Sequence, residues 1–309
     1  MTTEREILDV SWPRKQRELV YWVMDSRPWN DFDFRDDDVV ICTWSKAGTT
    51  WMQQIVTQLI LGGDRTTYGP DLSPWIDTRL FDGAVDAANA QTHRRALKSH
   101  LPIDAIVYSP RAKYIYIGRD VRDVFWSWYN HYANFNPDTL AFINSLPGRE
   151  GPPVDYPDPD ITKAFRSWLT QDGYPCWPFW EHVQGWWDAR HLPNLMLVHY
   201  ADLLADMPGQ IRRIADFLDV TVSDDCWATI EECCSFAHMR QLASADETMT
   251  RVFKGGGKTF INKGTNGRWR DVLTPDDIAF ADATIARNLT ADCARWLATG
   301  RMPGAQTTA

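Results

Sequence analysis

The sequence has few of the features that mark membrane, disulfide-rich or nucleic-acid-binding proteins. No apolar run approaches the roughly 20 residues that a membrane span needs, and the first ten residues, MTTEREILDV, lack the apolar core of a secretory signal. The six cysteines stand singly apart from Cys233 and Cys234, without C-x-x-C pairs or zinc-like spacing. The formal net charge of −9 argues against nucleic acid, which is bound through many Lys and Arg residues. We therefore expect a cytosolic protein without a disulfide framework, a structural metal, a membrane segment or a nucleic-acid partner.

The chain of 309 residues is long enough for one large α/β core, and we expect a single domain over 1–309. Most of the 16 tryptophans should pack in that core. The segment 144–161 is rich in proline, glycine and acidic residues, which fits a solvated insertion and a lid equally well. A second segment, 240–262, contains Lys254-Gly255-Gly256-Gly257-Lys258, which indicates a hinge in a mobile region. The tail 301–309 should be loosely held.

Apolar periodicity predicts an alternation of strands and helices along the chain. The predicted strands cover residues 39–42, 96–101, 114–118 and 195–200, and the predicted helices begin near 51, cover 120–133 and 209–218, and end with one helix from about 275 to 297. Such alternation favours a three-layer α/β/α fold with a central parallel sheet. Ligands of such sheets bind at the carboxyl ends of the strands.

The stretch TWSKAGTTW at 43–51 is the strongest local signal for a binding site. It predicts a strand, a glycine turn and a helix start, so that backbone N–H groups and the helix dipole meet at one anion-binding point. Lys46 adds a cation there, and Thr49 and Thr50 add hydroxyl donors. In the usual phosphate loop the lysine follows the last glycine, whereas Lys46 precedes Gly48. By itself the motif also fits a plain strand-to-helix turn with a surface lysine.

A second stretch, GRDVRDVFWS at 118–127, places an arginine at a predicted strand end where a helix begins. The guanidinium of Arg119 and the nearby helix amides can therefore meet one phosphate. Ser127 lies two helical turns further on, near the same face. Taken alone, the motif favours an ordinary interhelical ion pair for Arg119 and a solvent-facing Ser127.

Together with NKGTNGRW at 262–269, these motifs resemble the soluble, cytosolic type of sulfotransferase over nearly the whole chain. That family moves a sulfuryl group from 3′-phosphoadenosine-5′-phosphosulfate (PAPS) to a hydroxyl or an amine, and the resemblance implies its phosphate-loop-like fold. It also implies a PAPS site, with the 5′-phosphosulfate held by Lys46, Ala47, Gly48, Thr49, Thr50 and Trp51. The 3′-phosphate would be held by Arg119, Ser127, Asn262, Lys263 and Gly264. The adenine would meet Trp51, Tyr200, Phe236 and Cys234, which replaces the family's usual threonine.

The third motif departs from the family pattern at Asn262, where the family usually has arginine. Asparagine donates hydrogen bonds but carries no charge. The resemblance therefore implies that the 3′-phosphate depends more on Arg119, Lys263 and the Gly264 amide, with help from Lys258. We expect weaker discrimination for the 3′-phosphate than in relatives that keep the arginine.

His100 is the candidate catalytic residue, because Lys98-Ser99-His100-Leu101-Pro102 matches the family's Lys-Thr-His-Leu-Pro segment. A neutral imidazole, with its usual pKa near ~6.5, can accept the proton of an acceptor hydroxyl. Composition alone would favour a structural or surface histidine. The resemblance implies that Lys46 neutralises the leaving phosphate and that Lys98 steadies the sulfuryl oxygens, so that no metal is required.

Other functions remain open at this stage. A phosphate-loop kinase is disfavoured by the displaced Lys46 and by the lack of Gly-Lys-Ser/Thr. A nucleotide-binding protein without catalysis stays possible because of Asn262 and Cys234. Aromatic residues between Tyr132 and Phe142 favour a phenol or another small lipophilic alcohol as acceptor, with sterols, alkyl alcohols and amines left open. The family's common dimer segment, Lys-x-x-x-Thr-Val-x-x-x-Glu, is missing before the third motif, so the oligomeric state is undetermined.

Overall fold

Four parallel strands form the sheet on which the site is built. The computed structural model describes residues 10–148 and 152–302. The central strand β1 (Val39–Thr43) pairs with β2 (Ala96–Ser99) on one side and with β3 (Lys113–Gly118) on the other, and β4 (Leu195–His199) pairs with β3. The order is β2-β1-β3-β4 with all strands parallel. The carboxyl ends of the strands therefore meet at one edge, as the sequence predicts.

Helices cover both faces of this sheet. In chain order they are α1 Thr49–Leu61, α2 Ala84–Ala90, α3 Val121–Ala133, α4 Pro137–Ser145, α5 Ile161–Thr170, α6 Phe179–Asp188, α7 Tyr200–Ala205, α8 Met207–Leu218, α9 Trp227–Cys233, α10 Phe236–Ala245, α11 Glu247–Val252, α12 Gly257–Phe260, α13 Pro275–Asn288 and α14 Ala291–Thr299. Single 3₁₀ turns lie at Arg27–Trp29, Gly69–Leu72, Ala189–His191 and Arg268–Asp271. No helix among these described residues combines the length and the apolar character needed to cross a membrane.

Alternate residues of β1 pack into two separate cores. Val39 and Ile41 face a smaller aliphatic core that includes α1 and α8, while Val40 and Cys42 face a larger core rich in aromatic rings. This alternation follows from the two-residue period of a strand. The predicted three-layer α/β/α architecture is confirmed, and most tryptophans are buried as expected.

Several element boundaries differ from the prediction by one or two residues, and three differences have a structural cause or consequence. The final helix is two helices, α13 and α14, because Leu289 and Thr290 adopt extended backbone angles, and the Thr290 N–H donates to the Gln184 side chain. β2 ends at Ser99, so His100 is the first residue beyond the strand. Tyr200 begins α7 instead of ending β4. The last two differences place both side chains at the ligand-binding edge.

The two segments for which the sequence predicts a lid or mobility contain hydrogen-bonded or helical structure. In the described part of 144–161, Asn144 exchanges two 2.8 Å hydrogen bonds with the backbone of Val154, and the Tyr156 hydroxyl donates to the Phe135 carbonyl at 2.9 Å. The segment 240–262 is mostly helical and contributes to α10, α11 and α12. Residues 149–151 and most of the predicted loose tail lie outside the described residues.

Candidate active site

The turn between β1 and α1 leaves backbone N–H groups free for an anion. The amides of Gly48, Thr49, Thr50 and Trp51 donate to no protein acceptor within the described residues, as is usual for the first turn of a helix. Gly48 has a φ of 126°, and a Cβ there would lie 2.8 Å from the Tyr200 ring. Glycine is therefore required, and the start of α1 offers its amides and its positive dipole end to the cleft.

The residues around that turn lie in different environments. The hydroxyl of Thr49 is 2.6 Å from the hydroxyl of Thr43, which ties it to the end of β1. Thr50 is half-buried in the cleft wall, whereas the side chain of Ala47 is buried away from it. Sequence reasoning treats the two threonines alike, but Thr50 has the freer hydroxyl.

Five cations line the cleft without a carboxylate within salt-bridge distance in the described part of the chain. They are Lys46, Lys98, Arg119, Lys263 and Arg268. Burial, with the charges of Lys98 and Arg119, lowers the pKa of Lys46 to about 7, and burial lowers the pKa of Lys98 to about 8. Lys98 lies over the Trp75 ring at 4.0 Å. Unpaired cations held close together in a partly buried cleft indicate an anion-binding site.

Arg119 joins the three sequence motifs. Its guanidinium donates to the Asn266 side chain at 2.9 Å, to the Thr265 carbonyl at 3.1 Å and to the Lys46 carbonyl at 3.3 Å. It also lies over the Tyr200 ring at 4.1 Å. These hydrogen-bond partners are neutral, and the nearby carboxylates of Asp123 and Asp120 act on Arg119 only through their charge, so its guanidinium is still able to bind an anion. The alternative of an ordinary ion pair does not apply to Arg119.

The rest of the predicted 3′-phosphate group surrounds Arg119 at the cleft wall. Ser127 on α3, Lys263 and Gly264 all line the cleft, and Asn262 donates to the Asn130 side chain at 2.9 Å. Arg268, which the sequence analysis did not select, lines the same wall. The sequence feature that could have identified Arg268 is its position inside the third motif, where it adds a positive charge. Lys258, in contrast, is exposed on α12 and is not part of the cleft wall.

Aromatic rings also line the part of the cleft where the adenine was predicted. Trp51 lies edge-on to Tyr200 with ring centroids 5.4 Å apart, and its indole N–H donates to the Cys234 carbonyl at 2.9 Å. Gly264, with φ 65°, packs so closely under Phe236 that a Cβ would lie 2.5 Å from that ring. The Cys234 side chain is buried behind Trp51, so the structure does not bring this predicted contact residue into the cleft.

His100 lies at the end of β2 with its ring orientation fixed. Its Nδ1 is 2.7 Å from the Thr43 carbonyl oxygen, which can only accept, so Nδ1 carries the hydrogen and Nε2 is left unprotonated. Nε2 has no hydrogen-bond partner among the described residues, and the ring lines the cleft. Burial first, and then the charge of Lys98, lower the pKa of His100 well below its usual value. The imidazole is therefore neutral at pH 7 and able to accept a proton.

Two residues that sequence reasoning missed support this arrangement. Asp77 is buried and accepts hydrogen bonds from the indoles of Trp29 and Trp75 and from the backbone N–H of His100. His131 on α3 lies with Nδ1 3.0 Å from Nζ of Lys46. Asp77 follows no motif. His131 lies four positions after Ser127, and this helical spacing was the signal that could have indicated a shared face.

The start of α1, the cations of the cleft, His100 and His131 open onto one cavity of about 590 Å³. Beyond His100 its wall is largely apolar and aromatic, with Trp22, Leu80, Phe81, Tyr132, Phe135, Phe142, Ile143, Trp177, Met249, Val252, Phe253 and Phe260. Phe81 and Phe142 are 56% and 48% exposed. Within the described residues, no group of three His, Cys, Asp or Glu side chains is arranged to hold a metal ion. The cavity thus combines a basic end and an apolar end.

Comparison with known proteins assigns a family to this arrangement. Residues 36–292 match the model of the sulfotransferase domain. A glycolipid sulfotransferase of Mycobacterium bovis is 31% identical over 280 residues, which cover 81% of this chain and 84% of that protein. Sulfotransferase 2A2 of Mus musculus is 28% identical over 253 residues, which cover 79% of this chain and 81% of that protein. The family match over 36–292 therefore includes all three motifs and most of the residues that line the cleft.

Solved structures share the same fold. A mouse sulfotransferase, SULT7A1, complexed with PAP superposes with a TM-score of 0.67 and 21% identity, covering 88% of this chain and 92% of that chain. Retinol dehydratase in complex with androsterone and inactive cofactor PAP also has a TM-score of 0.67, with 22% identity, covering 91% of this chain and 89% of that chain. At these identities the likeness concerns the fold.

Proposed function

The chain belongs to the sulfotransferase family, which transfers sulfuryl groups, and we propose that its acceptor is a small lipophilic alcohol and that its general base is His100. The observation that carries this proposal is the position of His100 between the two ends of the cavity. Its ring packs against Trp75, over which Lys98 lies, and against Trp177 of the aromatic wall, and its unprotonated Nε2 has no protein partner among the described residues. A base at this junction can act on a hydroxyl that faces the sulfuryl group.

PAPS is the proposed donor, and the basic end of the cavity supports this choice. The free amides at the start of α1 suit the 5′-phosphosulfate, and Arg119, Ser127, Lys263 and the Gly264 amide suit the 3′-phosphate. Trp51, Tyr200 and Phe236 offer aromatic surfaces to the adenine. The fold neighbours that were solved with PAP agree with this choice.

The proposed reaction is an in-line displacement at sulfur. The acceptor oxygen bonds to sulfur while the bond from sulfur to the 5′-phosphate oxygen breaks, and PAP (3′-phosphoadenosine-5′-phosphate) leaves with that electron pair. The acceptor proton passes to Nε2 of His100. Negative charge grows on the departing phosphate, where the Lys46 ammonium stabilises it, and Lys98 faces the sulfuryl oxygens. Because these lysines have no carboxylate partner in the described structure, their charge is available for this purpose.

The aromatic wall supports a lipophilic acceptor. Leu80, Phe81, Phe135, Phe142 and Phe253 surround the space beyond His100, and burial of a flat apolar ligand there would be favourable by about 25 cal/mol per Å². A phenol fits the aromatic character of this wall. Two relatives are named as a glycolipid sulfotransferase and a 3-alpha-hydroxysteroid sulfotransferase, and these names agree with a lipophilic acceptor.

A matched acceptor panel tests the proposed class. Phenols, sterols, alkyl alcohols and amines are incubated with labelled PAPS, each beside its O-methyl or N-methylated analogue that lacks the reactive hydrogen. Lipophilic alcohols, phenols first among them, should give labelled sulfate esters, and the methyl ethers should give none. Transfer only to amines, or only to hydrophilic sugars, would contradict the proposal.

Replacement of Asn262 by arginine should sharpen recognition of the 3′-phosphate. Arg119 and Lys263 supply the charge there now, and a charge-assisted hydrogen bond contributes about 1.5 to 3 kcal/mol. We expect Asn262→Arg to raise the preference for PAP over AMP by about 10-fold or more, measured by calorimetry of both nucleotides. Asn262→Gln, which adds length but no charge, is the control. An unchanged preference in Asn262→Arg would show that this position lies outside the 3′-phosphate site.

PAP binding should weaken as the pH rises from 7 to above 8. The pKa values of Lys46 and Lys98 are lowered to about 7 and about 8, so each loses its charge in this range when no anion is bound. A bound phosphate favours the charged lysines, so that binding at pH 8 takes up about one proton. Calorimetry in buffers of different ionisation enthalpy measures this uptake, which Lys46→Met should reduce. Binding without proton uptake in the unmodified protein would contradict the assignment.

A further inference from the structure

The aromatic end of the cavity contains a second histidine that the transfer step does not use. His131 lies on α3, packed against Phe135 and Phe253 with ring centroids 4.8 and 4.7 Å away, and Phe260 lies at 6.0 Å. Each of these rings also lines the cavity. A polar side chain placed in an apolar wall needs a hydrogen-bond partner, from the protein or from a ligand.

The contact with Lys46 fixes which ring nitrogen of His131 carries the hydrogen when the anion site is filled. Nδ1 lies 3.0 Å from Nζ of Lys46. A bound phosphate favours the charged lysine, and an ammonium group only donates, so Nδ1 then accepts and the hydrogen of the neutral ring resides on Nε2. Burial, and then the charges of Lys46 and Lys98, lower the pKa of His131 well below its usual value, which keeps the ring neutral.

The Nε2–H group is therefore a donor without a partner. No described residue accepts a hydrogen bond from Nε2–H. The Nε2 atom is also not fully buried by the protein, so a ligand can reach it. His131 is half-buried and lines the cavity. The two imidazoles are thus complementary, because His100 presents an unprotonated nitrogen to the cavity and His131 presents an N–H.

We propose that His131 is a specificity residue that selects lipophilic acceptors carrying a second oxygen. Its Nε2–H donates a hydrogen bond to an ether, carbonyl or second hydroxyl oxygen of the acceptor, while the reacting hydroxyl faces His100. This inference rests on the proposed function, since it names the acceptor class of the same site. An acceptor with a purely hydrocarbon body would leave the Nε2–H desolvated and unpaired, which costs affinity.

Isosteric acceptor pairs test this role by binding. Ethylphenol and methoxyphenol, each in its 2-, 3- and 4-substituted form, differ mainly in a methylene and an oxygen. Their dissociation constants are measured by calorimetry on the protein saturated with PAP. In the unmodified protein at least one methoxyphenol should bind about 3- to 10-fold more tightly than its ethyl partner, as expected for one net hydrogen bond.

Variants of His131 separate a direct contact from an effect through Lys46. His131→Phe should bring the preferred pair to equal affinity, and His131→Gln, whose amide reaches the position of Nε2, should restore part of the preference. An effect that acts through Lys46 changes the dissociation constants of both phenols of a pair by the same factor, so their ratio stays the same. Phe135→Leu reshapes the same wall without removing a donor and should keep the ratio.

The possible results distinguish this inference from the proposed function. Equal affinities in every pair of the unmodified protein, or a preference that survives in His131→Phe, would overturn the role of His131 even where label from PAPS reaches the phenols. Absence of label transfer to any phenol would count against the proposed acceptor class, while the binding ratio would still report on His131. A protein that binds none of the six phenols would contradict both.

Discussion

Replacement of His100 by alanine is expected to lower kcat by about 10²- to 10⁴-fold, the range found for loss of a general base. The ring has one nitrogen committed to the Thr43 carbonyl and one free nitrogen in the cavity. The low pKa of His100 keeps the imidazole ring neutral at pH 7. PAP affinity should stay within about 3-fold, because neutral His100 contributes no charge to the anion site. The measurement is kcat with a saturating phenol, beside calorimetry with PAP.

His93→Gln is the matched control for this prediction. His93 is half-buried in the loop before β2, where its Nδ1 contacts the Arg94 carbonyl, and it is not part of the cavity wall. Its replacement should leave kcat close to that of the unmodified protein. Thermal unfolding of both variants reports whether the fold is kept. Near-normal turnover in a folded His100→Ala protein would remove the assignment of His100 as the base.

Replacement of Lys46 by methionine is expected to lower kcat by about 10²- to 10³-fold, the usual effect of removing one transition-state stabilising group. Methionine keeps the approximate length of the side chain without its charge. Because the charge on the departing phosphate grows during the reaction, the loss should exceed the loss in PAP affinity. Single-turnover rates at saturating PAPS, compared with the dissociation constant of PAP, separate the two effects.

Lys258→Met is the control for Lys46, because Lys258 is an exposed lysine of α12 outside the cleft wall. Lys258→Met should change neither the single-turnover rate nor the dissociation constant of PAP by more than about 2-fold, as is usual for exposed charges. This control also tests the sequence-based expectation that Lys258 helps to hold the 3′-phosphate. A Lys46→Met protein that loses only PAP affinity, with an unchanged single-turnover rate, would place Lys46 in binding alone.

The parts of the fold that the sequence predicts are those with strong local patterns. The run at 39–42, the glycine turn and the apolar spacing after Trp51 specify β1, the loop and α1 without long-range information. The break between α13 and α14 was missed because it depends on Gln184, which lies 106 positions earlier in the chain and accepts the Thr290 N–H. Boundaries that depend on such contacts have no local signal.

The candidate site shows the same division. Lys46, Lys98, Arg119 and His100 follow motifs, and the structure brings all four to one cavity. The partner of Lys46 is His131, 85 positions away, and this contact exists only after α3 packs beside the turn. Asp77 is similar, because its role depends on indoles and an amide from three separate segments.

Cys234 illustrates the limit of transferring a role by position. The resemblance places it among the adenine contacts, yet its thiol is buried and its carbonyl accepts the Trp51 indole N–H. Cys234 would therefore affect nucleotide binding only indirectly, by orienting the Trp51 ring. A position in a motif specifies the backbone path more reliably than it specifies where a replaced side chain points.

The most direct test of the account is the fate of radioactive sulfur from PAPS, followed with a lipophilic phenol and a metal chelator present. We predict one labelled phenyl sulfate for each PAP formed, at a rate that the chelator does not change and that falls about 10²- to 10⁴-fold in His100→Ala. Tight binding of PAP without a labelled ester from any hydroxyl acceptor would contradict the account and would leave a nucleotide-binding protein without catalysis.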